Sequence, residues 1–220
     1  HGLGIYTEAE SHARLALDSA RRAFGELHAE TAHSYGNLGA ALAEQARHDE
    51  AEGPLRQSYE IMVRVNAPAD QILVSKLNLA IRLRDGDHAQ EGERMLRECV
   101  DEARRILPQG PSDLAVILGQ LAAHLYDTGR PEEALPLIDE AIEREAQRDP
   151  PLGTRLANLW QTKSSILGMG GDEVGSEAAA RRCLDLLESS LRPDHPEVIS
   201  ANIRLISQML YLGENDEATL

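Results

Sequence analysis

Between Thr31 and Gln45, Leu38, Ala41, Leu42 and Gln45 recur at intervals of three and four; between Glu50 and Val65 the same spacing returns in Ala51, Leu55, Ser58, Ile61 and Met62. A period near 3.6 puts each set on one face of an α-helix. Only a few polar residues separate the segments, so the pattern predicts two helices folded back on each other as a hairpin.

The hairpin recurs along the chain. GIYTEAE (4–10), ARHDEAE (46–52), GRPEEAL (129–135) and GENDEAT (213–219) each carry a small residue, an acidic pair, and Ala five positions after the small residue. DHAQEGE (87–93) and GDEVGSE (171–177) fit the same frame more weakly. The anchors are then Ala9, Ala51, Gly92, Ala134, Ser176 and Ala218, at spacings of 42, 41, 42, 42 and 42 residues. Nine residues before the last five anchors stand Leu42, Leu83, Leu125, Leu167 and Met209. Three positions earlier come Gly39, Ala80, Ala122 and Ser164, with Ile206 the large exception. Seven residues after the first five anchors come Ala16, Ser58, Cys99, Ala141 and Cys183. Small residues at fixed points of two helices let their backbones approach, and the large apolar residues fill the space beside them. Gly129 closes one helix and Pro131 opens the next. Pro68, Pro108 with Pro111, Pro150 with Pro151, and Pro193 with Pro196 mark the turns between hairpins.

These positions resemble the tetratricopeptide repeat, whose motif runs Trp, Leu, Gly/Ala, Tyr, Gly, Ala along a helix pair; Trp160 falls at its Trp position. The long period is similar to the kinesin-light-chain-like subtype, which carries G-x-D-H-P-x-x-A before the first helix and N-L-A within it. GELHAETA (25–32) and LRPDHPEV (191–198) match the first signature, NLG (37–39) and NLA (78–80) the second. The resemblance implies an all-α, right-handed α-solenoid of stacked antiparallel helix pairs. It would hold five to six units, the terminal ones incomplete, in one continuous array over residues 1–220. Departures are Gly92 and Ser176 at the anchor, Lys163 where Leu is usual, and Pro54 and Pro136 inside second helices, where each removes a hydrogen bond. His1 falls near the end of a first helix and Leu220 early in a second. Ile199, Ile203, Ile206 and Leu210 have no following hairpin to cover them, so the chain is expected to be a piece of a longer protein or to self-associate through its uncapped ends.

Composition narrows the partners. Aromatic residues make up only 3%, and the core relies on Ala and Leu, the best helix formers. A net charge of −15 repels a phosphate backbone, which argues against nucleic acid and leaves a basic partner favoured. Lys76 and Lys163 are the only lysines, no polybasic cluster addresses a membrane, and Leu114–Tyr126 is too short to span one. Two cysteines make no disulfide framework and point to the cytoplasm. The Arg-rich, Ala-rich composition looks like a bacterial source.

Within HAETAH (28–33), His28, Glu30 and His33 have the residue types of a metal site. Five positions turn a helix by about 500°, so the two histidines diverge, whereas a zinc helix places them four apart. His28 also recurs as His195 at the same place in the repeat. A residue tied to the period reads as structural, so no metal is expected. Cys99 and Cys183 share the small-residue position of second helices and read as buried. GMGG (168–171) follows no strand, and no catalytic constellation is present, so neither catalysis nor a cofactor is expected.

The remaining surface is the stripe of the first helices that would line a concave groove. In the resembling subtype the Asn of N-L-A faces bound peptide, and that register reads Asn37, Asn78, Gln120, Thr162 and Arg204 here. His33, Arg84, Tyr126, Asn158 and Gln161 neighbour it. Amides donate and accept together, so a row of them satisfies an extended backbone of any sequence. The resemblance therefore implies a scaffold binding a protein or peptide segment. The alternative it implies is a regulatory arm of a larger bacterial signalling enzyme, such as a protease, kinase or STAND-type ATPase.

Overall fold

The computed structural model describes residues 2–84, 88–106, 111–148 and 153–218, with side chains over 8–84, 88–106, 114–148 and 153–210. These residues form ten α-helices and no strand. They are α1 (Gly2–Phe24), α2 (Ala29–Glu44), α3 (His48–Arg64), α4 (Ala69–Arg84), α5 (Ala89–Ile106), α6 (Pro111–Asp127), α7 (Pro131–Ala146), α8 (Gly153–Met169), α9 (Glu173–Ser190) and α10 (Pro196–Ala218). No helix among the described residues is long and apolar enough to cross a membrane.

The helices divide between two compact units, His1–Pro108 and Gln109–Leu220. In the first, α1 packs on α2, α2 on α3, α3 on α4 and α4 on α5, while α2 and α4 also touch. In the second, α6 to α10 pack in succession and α6 touches α8. Within each unit two first helices thus lie side by side, α2 by α4 and α6 by α8.

The repeated small residue of the motif sets the turn inside each hairpin. Ala46, Gly129 and Gly171, each five residues before an anchor, have φ of +57°, +73° and +83°. The next residue then donates back into the helix: Arg47 N to Leu42 O at 3.1 Å, Arg130 N to Leu125 O at 2.8 Å, and Asp172 N to Leu167 O at 2.9 Å. This is the Schellman closure, which needs one left-handed residue and suits glycine best. Ala46 carries the steric penalty of its Cβ there. Ala46→Gly should therefore stabilise the chain by about 0.5–1 kcal/mol, the relieved strain exceeding the entropy glycine gains on unfolding. A lowered urea midpoint would contradict this.

The anchors Ala51, Gly92, Ala134 and Ser176 are all buried between the two helices of a hairpin. Where serine replaces alanine, it is paired. Ser176 Oγ donates to Ser164 O at 2.7 Å and Ser164 Oγ to Ser176 O at 2.9 Å, tying α8 to α9. Lys163, in place of the usual leucine, meets Asp139 Oδ1 at 2.7 Å and lies over the Trp160 ring, 5.1 Å from its centroid. Lys76 occupies the register of Trp160 and is buried, its Nζ 2.7 Å from both Glu98 Oε2 and Glu102 Oε1. Burial pulls its pKa down, but the two carboxylates outweigh this and hold it above the ordinary lysine value. Helices α3 and α7 run continuously through Pro54 and Pro136. On α10, Ile199, Ile203, Ile206 and Leu210 are exposed.

Candidate functional site

HAETAH forms the entry to α2. His28 is its N-cap, with Nδ1 accepting from Glu30 N at 3.1 Å, and its ring stacks on Phe24. His195 repeats the arrangement before α10, accepting from Glu197 N at 3.3 Å. Capping satisfies an amide left open by the helix terminus. Cys99 and Cys183 are both buried. Burial pushes the Cys99 thiol up to about 12 and raises that of Cys183, so neither is a thiolate at neutral pH.

The inner stripe lines a matching pair of cavities, one in each unit. In the first unit a cavity of about 270 Å³ lies between α2 and α4 with α3 as its floor; His33, Asn37, Ser58, Asp70, Gln71, Ser75 and Asn78 supply its polar lining. In the second, a cavity of about 240 Å³ lies between α6 and α8 over α7, with Gln120, Glu145, Arg155, Asn158 and Thr162 among its lining residues. The two are the same place in the repeat. Gly36, Asn37 and Ala40 line one as Gly119, Gln120 and Ala123 line the other, each an identical distance from its anchor. Gly36 and Gly119 leave the space open because neither projects a side chain into it.

Asn37 and Asn78 are exposed and have no hydrogen-bond partner among the described residues. Gln120 is half-buried and does interact with its surroundings. Thr162 donates to Asn158 O at 3.1 Å, so its hydroxyl hydrogen is committed within α8. His33 and Asn158 are exposed at the same register of α2 and α8. The other four stripe residues line neither of these cavities. Arg84 and Tyr126 stand half-buried near the ends of α4 and α6, and Arg204 is exposed on α10. Gln161 holds the register that is glycine in α2 and α6, and its Oε1 accepts from Cys183 Sγ of α9 at 3.9 Å.

Glu145 and Arg155 are among the lining residues that a reading of the stripe alone misses. Glu145 comes from a second helix, and Arg155 lies one turn before Asn158. The repeat itself carried the signal. Eleven residues after the anchors stand Ala20, Met62, Ala103, Glu145 and Leu187, all buried, and only one is charged. Twenty-one residues before the anchors stand Glu30, Gln71, Asp113, Arg155 and Glu197, where only one is basic.

Residues 1–62 match the family described as tetratricopeptide repeat. No curated protein matches the chain significantly in sequence. Among solved structures, the chain is similar to BtubC (BKLC) from P. vanneervenii, with a TM-score of 0.79 and 14% identity over 97% of this chain and 87% of that one. It is similar also to a Podosopora anserina putative kinesin light chain with nearly identical TPR-like repeats, at a TM-score of 0.72 and 17% identity over 87% and 92% of the two chains. YrrB, a TPR protein with an unusual peptide-binding site, aligns at a TM-score of 0.54 and 16% identity over 91% and 86%. At such identities the likeness is one of fold, the all-α solenoid of stacked antiparallel helix pairs. The family match covers residues 1–62, and the same 42-residue period is carried through the rest of the chain.

Proposed function

We propose that the chain is a protein-interaction module, and that the inner faces of its first helices bind an extended segment of a partner protein without catalysis. The observation that carries this reading is the pair of cavities at one repeat position, each edged by amide side chains. Asn37 and Asn78 stand on adjacent first helices with donor and acceptor both open. An extended backbone presents N–H and C=O groups in alternation, and a side-chain amide answers one of each. The surrounding Val74 and Met62, and Val116 and Leu159 in the other unit, offer apolar walls to side chains of the segment. The description of YrrB as having a peptide-binding site supports the same use of this architecture. A net charge of −15 favours a basic segment and speeds its encounter.

The test is capture of random dodecapeptides displayed on phage, followed by affinity measurement on the selected peptides. In the variant carrying Asn37→Ala, Asn78→Ala and Gln120→Ala, affinity should fall by about 100-fold, three hydrogen bonds at about 1 kcal/mol each. The helices should stay folded by circular dichroism. Unchanged affinity in the folded variant would remove the amide row from the function.

A further inference from the structure

Glu145 is 1% exposed, and neither carboxylate oxygen has a hydrogen-bond partner among the described residues. Such a group is costly to bury, because the lost hydration is not replaced. The fold does not require it. The same position is alanine, methionine, alanine and leucine in the other hairpins, each buried. Met62, its counterpart in the first unit, lines the corresponding cavity there. A carboxylate thus replaces an apolar side chain at the floor of one cavity only.

We infer that the second-unit cavity receives a basic side chain, arginine or lysine, of the bound segment, with Glu145 as its counter-charge. This rests on the groove reading above and adds what one of its pockets selects. A volume of about 240 Å³ suits one long side chain; ligands of drug size occupy roughly 300–1,000 Å³. Ala115, Val116 and Leu159 offer an apolar wall to the methylene stem, and the amide oxygen of Asn158 can share the charged head's donors. Arg155, exposed in the first turn of α8, lines the same cavity but makes no ion pair with Glu145 among the described residues. It is a like charge that the incoming cation must push aside.

The probe is N-acetyl-arginine amide, with the neutral isostere N-acetyl-citrulline amide as its control, titrated into the ¹⁵N-labelled chain and followed by NMR. The arginine compound should give saturable shifts at Gln120, Asn158 and Gly119, with an affinity about tenfold above that of the citrulline compound. Glu145→Met, which installs the residue of the first unit, should abolish the difference. Arg155→Ala should tighten binding several-fold. Equal shifts from both compounds, a difference that survives Glu145→Met, or no saturable shift overturns the inference. So does binding seen only in Arg155→Ala, since Glu145 would then serve Arg155 alone. Selected dodecapeptides that bind wild type and Glu145→Met equally, yet lose affinity in the triple amide variant, would sink this inference and leave the groove standing.

Discussion

Gly92→Ala is expected to lower the chain's stability by about 2 kcal/mol, although alanine is the residue that Ala9, Ala51, Ala134 and Ala218 place at the same position. A Cβ at Gly92 would lie 2.8 Å from Arg84 Cα and 2.9 Å from Ala80 O, and closer still to Arg84 N. These are backbone atoms of α4, and they cannot rotate aside. α5 would have to move off α4, opening the packing around Leu96 and Leu83, which are buried. The gain in helix propensity, about 1 kcal/mol, does not offset this. In two of the hairpins the closest approach of the helices falls on a glycine. In the first hairpin it stands on the other helix, where a Cβ at Gly39 would lie 2.7 Å from Leu55 Cδ2 and 3.3 Å from Ala51 O. Gly53 provides the control. It is exposed within α3, and beyond its two chain neighbours a Cβ there meets nothing within 4 Å. Gly53→Ala gains helix propensity but sets a Cβ against the ring of Pro54, so it should leave stability within about 0.5 kcal/mol of wild type. Urea titration of both variants gives the comparison, and a Gly92→Ala midpoint at or above that of wild type would mean that α4 and α5 are not in backbone contact.

Gly92 also marks where the sequence stops being sufficient. The 42-residue period gives the hairpins, their small anchors and the turn residue, because each of these is a local requirement repeated at one place in every unit. Ala46, Gly129 and Gly171 were visible as the small residue of the motif, and their left-handed backbone explains why it is small. Gly92 and Ser176 instead read as departures, since a single strand of text does not say how near the facing backbone lies or that Ser164 waits across the hairpin. The groove register is similar. Asn37, Asn78, Gln120 and Thr162 line cavities. Gln161 differs because its neighbour α9 offers Cys183 Sγ. Glu145 stayed hidden for another reason. It lies in EREAQRD, a charged stretch that resembles a solvated helix end, although Ala134, Ile138, Ala141 and Ile142 put it on the buried face.

That burial sets up the second large effect, in the opposite direction. Glu145→Met should stabilise the chain by about 1–3 kcal/mol, the cost of leaving a buried polar group unsatisfied. Methionine matches glutamate in helix propensity, and its flexible thioether adapts to an irregular gap. The first unit already demonstrates the fit, for Met62 at the same position is 1% exposed. Glu145→Gln retains a polar group in the same apolar setting and should gain less than methionine does. Urea midpoints of the three proteins therefore order as methionine, glutamine, wild type. A loss of stability in Glu145→Met would mean that the carboxylate is held by a partner in the free protein, and its role would then be structural. The expected order makes Glu145 a group retained at the expense of stability, as binding sites commonly are. Stability gained and cation selectivity lost in one substitution would tie that expense to the cavity it lines.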